Sequence, residues 1–60
     1  MREIRIYFVS GNEMVVMMSE EEAKNIKEDF SYKPASIELD MKNVTTIIPT
    51  SSIERIEISK

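Results

Sequence analysis

Sixty residues with no cysteine and no histidine exclude a disulfide framework, thiolate and imidazole metal sites, and the commonest general base. A formal charge of −3, from 11 carboxylates and 8 cations, argues against indiscriminate attraction to nucleic acid or anionic membrane. The length implies one domain, residues 1 to 60, and folding at this size hides only about 60% of the surface that the unfolded chain exposes, which leaves a second copy as the available source of extra stability.

The opening "MREIRIYF" has no apolar centre of a secretory signal, and no apolar run approaches the roughly 20 residues of a membrane helix. With cysteine absent, a soluble, cytoplasmic protein is expected. Ile4, Ile6 and Phe8 alternate with Arg5, Tyr7 and Val9, the period of two that predicts a strand over about residues 2 to 9. Gly11, the one glycine of the chain, and Asn12 suit the central pair of a two-residue turn, because both tolerate positive φ. Met14 to Met18, "MVVMM", is then the return strand of a hairpin.

Ser19 followed by Glu20, Glu21 and Glu22 has the form of a capping box. Ala23, Ile26 and Phe30 make one apolar stripe on a helix of about residues 20 to 30, and the glutamates of its first turn suit the positive end of the helix dipole. Glu20 to Asp29 carries five carboxylates against two lysines and so equals the whole net charge. Pro34 ends the helix. Ile37, Leu39 and Met41 alternate in a third strand, "MKN" turns the chain, Val44 to Ile48 form a fourth strand stopped by Pro49, and Glu54 to Ile58 form a fifth. The order ββαβββ predicts a small α+β domain, with one amphipathic helix on a mainly antiparallel sheet. The competing architecture is a β-barrel-like roll.

A two-residue loop sets Val9 opposite Met14 and Ile6 opposite Met17, and directly opposed residues share a face. That register puts Ile4, Ile6, Phe8, Val15 and Met17 in the core with the helix stripe and with Ile37, Leu39, Ile56 and Ile58. Arg5, Tyr7, Val9, Met14, Val16 and Met18 fall on the other face, which one helix cannot also cover. Three occupants compete for that face: the later strands curling over it, a second copy of the chain, or a different protein. Tyr7, Val9, Met14, Val16 and Met18 are the predicted interface.

The serines have turn, capping or terminal explanations, and no histidine is present to activate one, so no enzyme is expected. No cofactor is expected either: one glycine cannot make a phosphate loop, and "LDMKN" lacks the ligand density of a calcium loop. Arg5 and Arg55 beside Tyr7 are candidate contacts for a small ligand or nucleotide, or for single-stranded nucleic acid on a basic-aromatic platform. Glu20, Glu21, Glu28 and Asp29 form a candidate acidic surface facing a partner, although carboxylates near a helix start are ordinarily explained by the helix itself. The reading these features favour is a small non-enzymatic protein-binding module, a homodimer that acts by occupying another macromolecule. Inhibitors and accessory proteins of phages and mobile elements are often of this size and type. A small-ligand binder is the alternative, and nucleic acid is a disfavoured partner.

Overall fold

The computed structural model describes residues 1 to 60 and has the element order foreseen: β1 (Arg2–Phe8), β2 (Glu13–Met18), α1 (Glu20–Ser31), β3 (Ser36–Asp40), β4 (Thr45–Pro49) and β5 (Ile53–Ile58), with a single 3-10 turn, Thr50–Ser52, before β5. The domain is α+β. Its five strands divide into two antiparallel sheets, β2-β1-β5 and β3-β4, and no barrel closes.

Ser19 caps α1 as its sequence suggests. Its hydroxyl accepts the Glu22 amide at 3.2 Å, and Glu22 reaches back to accept the Ser19 amide at 3.3 Å. At the other end the helix stops without a glycine: Lys33 takes φ 51° and donates its amide to Phe30, a left-handed cap that a side chain adopts only at a cost of about 1 kcal/mol. The Thr50 amide then bonds the Ala35 carbonyl at 3.0 Å and ties the segment before β3 to the turn before β5.

One core joins both sheets and the helix. Ile4 and Ile6 of β1, Met18 of β2, Ala23 and Ile26 of α1, Ile37 and Leu39 of β3, Ile48 of β4 and Ile53 of β5 are all buried. Phe8, Met14, Val16, Phe30, Ile56 and Ile58 pack against them, half-buried. No buried polar side-chain atom lacks a partner.

The hairpin corrects the predicted register. Phe8 and Asn12 close the loop, with the Phe8 amide donating to Asn12 at 2.9 Å and the Gly11 amide to Phe8 at 3.0 Å. The loop is therefore Val9-Ser10-Gly11. Only Gly11 has positive φ, 96°, so a two-residue turn with positive φ at both central positions does not form; a three-residue loop with the left-handed residue last takes its place. The pairs become Tyr7 with Glu13, Ile6 with Met14, Arg5 with Val15, Ile4 with Val16 and Glu3 with Met17. The slip is an odd number of residues, so every β2 side chain changes face. Met14, Val16 and Met18, expected outside, join the core, while Val15 and Met17, expected inside, are 46% and 56% exposed.

Candidate interaction surface

β1 lies at the centre of its sheet, and its odd-numbered side chains stand on the face away from the helix. Arg5 pairs across to Glu57, and Tyr7 to Arg55. The Arg55 guanidinium stacks 3.8 Å from the centroid of the Tyr7 ring and meets Glu54 at 2.6 Å and Glu57 at 3.2 Å. The Tyr7 hydroxyl donates to Glu57 at 3.1 Å. Arg5 meets Glu3 at 3.2 Å and Glu13 at 3.7 Å. The hydrogen bond that Arg5 donates to Glu3, and then the charge of Glu13, raise the Arg5 pKa above its ordinary value. The hydrogen bond that Arg55 donates to Glu57 leads the same effect there, and a guanidinium is charged at neutral pH in any case.

The two arginines foreseen as ligand contacts are thus already paired with carboxylates, which weakens the case for a phosphate among them. Beside this ladder Val15 and Met17 lie open. Of the predicted interface, Tyr7 alone keeps its place on the outer face. Val9 is exposed in the hairpin loop, and Met14, Val16 and Met18 face inward. Sequence reasoning missed Val15 and Met17 because the loop length decides their face, and one glycine was compatible with two loop lengths.

The acidic surface also divides. Glu20 is paired with Arg2 at 2.8 Å, and Glu21 and Glu28 are exposed on the helix. Asp29 joins Glu22, Glu38 and Asp40 along a cleft between α1 and β3 whose lining holds no cation. No three carboxylates of the chain converge closely enough to hold a metal ion.

On the other side of α1 a groove of about 480 Å³ runs along β5, with Ala23, Ile56 and Ile58 as apolar lining and Arg2, Lys24, Lys27 and Lys60 around them; Glu20 is the one carboxylate. Half of the chain's cations collect there. Lys24 and Lys27, three residues apart on one helix face, were the signal for it, but the arrival of Arg2 and Lys60 beside them depends on the β1–β5 pairing.

No helix is long and apolar enough to cross a membrane. No protein-family model matches the chain, and no curated protein or solved structure shows significant similarity to it.

Proposed function

We propose that this chain is a non-enzymatic protein-binding module that works as a homodimer and acts by occupying another macromolecule, the role that inhibitors and small accessory proteins of phages and mobile elements fill. The observation that carries this reading is β2, a strand apolar on both faces at the edge of its sheet. Val15 and Met17 are exposed there, beside the Tyr7–Arg55 stack. Tyrosine and arginine dominate the energetics of protein interfaces, and a stack held on a sheet loses little side-chain freedom when a partner arrives. Replacing Tyr7 and Arg55 together by alanine tests the partner-binding half. A protein captured by the wild type from its native cells should bind the double variant about thirtyfold more weakly, the effect of losing about 2 kcal/mol at a hot spot. Unchanged affinity would place the partner elsewhere on the molecule.

The groove along β5 favours a second reading, a binder of small anions with an apolar tail. Its volume, about 480 Å³, lies within the usual range of about 300–1,000 Å³ for ligand sites. In this reading Lys24, Lys27 and Lys60, rather than Arg5 and Arg55, hold the anion.

A further inference from the structure

We infer that two copies of the chain pair along β2 in antiparallel fashion about a two-fold axis at Val16, making one continuous sheet in the order β5-β1-β2-β2-β1-β5. The inference rests on the homodimer reading above and specifies its contact. In an antiparallel ladder the residues of a strand alternate between bonding one neighbour and bonding the other. The Phe8 amide bonds Asn12, and Phe8–Asn12 continues the register of Ile6–Met14 and Ile4–Val16. Met14, Val16 and Met18 therefore turn their backbone groups toward β1. The other edge of β1 agrees, since the Ser59 amide bonds the Glu3 carbonyl and, just past the end of β1, the Val9 amide bonds Ser52, so the odd residues serve the β5 side. Glu13, Val15 and Met17 are left with amides and carbonyls directed away from the sheet, and no strand of the chain pairs with that edge.

Soluble proteins blunt such edges with inward charges, proline, bulges or a covering loop. Glu13, at the start of β2, is the strand's one charged residue; the run Met14 to Met18 that follows has no charge and no proline, and the β1–β2 register runs without a bulge. An unguarded strand that also exposes apolar side chains is a template for another strand, and the partner that fits it here is itself. In an antiparallel pair about a two-fold axis, opposed residues must share a face, so the two residue numbers of a pair must differ by an even count. Among such registers the one centred on Val16 sets the run Met14 to Met18 against the whole of the same run. Val15 then lies opposite Met17 of the second copy on the outer face, and Met14 opposite Met18 on the inner face. Val15 and Met17 are the residues with outward backbone groups, so they exchange both ladder hydrogen bonds, and Val16 meets Val16 as a non-hydrogen-bonded pair. Glu13 falls opposite Ser19, so no two carboxylates are opposed.

Cysteine substitution tests the register directly, because the chain has no thiol of its own. In a non-hydrogen-bonded pair the Cα atoms are about 4.5 Å apart, within the span of a disulfide. Val16→Cys, oxidised with glutathione disulfide at micromolar concentration, should convert to covalent dimer. Val15→Cys, one position away on the same edge, should remain monomeric on denaturing gels, because its own copy lies diagonally across the pair, beyond the reach of a disulfide. Linking of Val15→Cys as fast as Val16→Cys would overturn the pairing. Should Val16→Cys fold poorly, amide hydrogen exchange on the wild type gives the same answer: the Val15 and Met17 amides slow as concentration rises if the edge is paired. A wild type that is dimeric while those amides exchange at a constant rate keeps the homodimer and refutes the edge, whereas a wild type that is monomeric throughout refutes both.

Discussion

Ser19 shows how much a single polar side chain settles in a domain this small. Its hydroxyl and the Glu22 carboxylate satisfy amides at both ends of the box, and three glutamates occupy the first turn, where the helix dipole favours them. Ser19→Ala should lower the unfolding free energy by about 1 kcal/mol, read as a shift of the urea midpoint at constant slope. A helix that lost nothing on this change would not depend on its cap. Local residue chemistry of this kind was fully legible in the sequence, since a capping box needs only the spacing from Ser19 to Glu22. The cap at Lys33 was not: a proline one position on gave the stop, but nothing in a lysine announces φ 51°.

At the scale of elements the decisive feature is one loop. The strands, the helix and their order follow from periodicity and turn residues, because the alternation of Ile4, Ile6 and Phe8 or of Ile37 and Leu39 survives an error of a residue at either end. The face of β2 does not survive it. "MVVMM" is apolar throughout and lacks the alternation that would have fixed its register, so only the loop could, and Gly11 fits the last position of a three-residue loop as well as the first of a two-residue one. The division into two sheets was equally hidden, since it depends on which strands meet and not on what each strand is. Substitution of Gly11 tests the loop. A Cβ at this position meets no atom within 4 Å, so Gly11→Ala is penalised by backbone conformation alone and should cost about 1 kcal/mol. A loss several times larger would mean that the loop makes contacts beyond its own turn.

For the molecule as a whole, the loop explains why a chain of 60 residues carries a strand apolar on both sides. The inner side, Met14, Val16 and Met18, completes a core to which every strand and the helix contribute. The outer side, Val15 and Met17, lies open along a sheet edge that nothing in the chain covers. A domain that buries nine of its 60 residues gains from any further burial, and a two-fold pair along β2 adds apolar contact and satisfies the open edge together. The acidic cleft lies on one side of α1 and the cationic groove on the other. Sedimentation equilibrium of the wild type, from about 1 to 100 micromolar, reads the homodimer itself, because a dimer linked by mass action must form as concentration rises. The mass should climb from that of one chain, 7.0 kDa, to twice that value; a mass that stays at one chain across the range would rule out the homodimer.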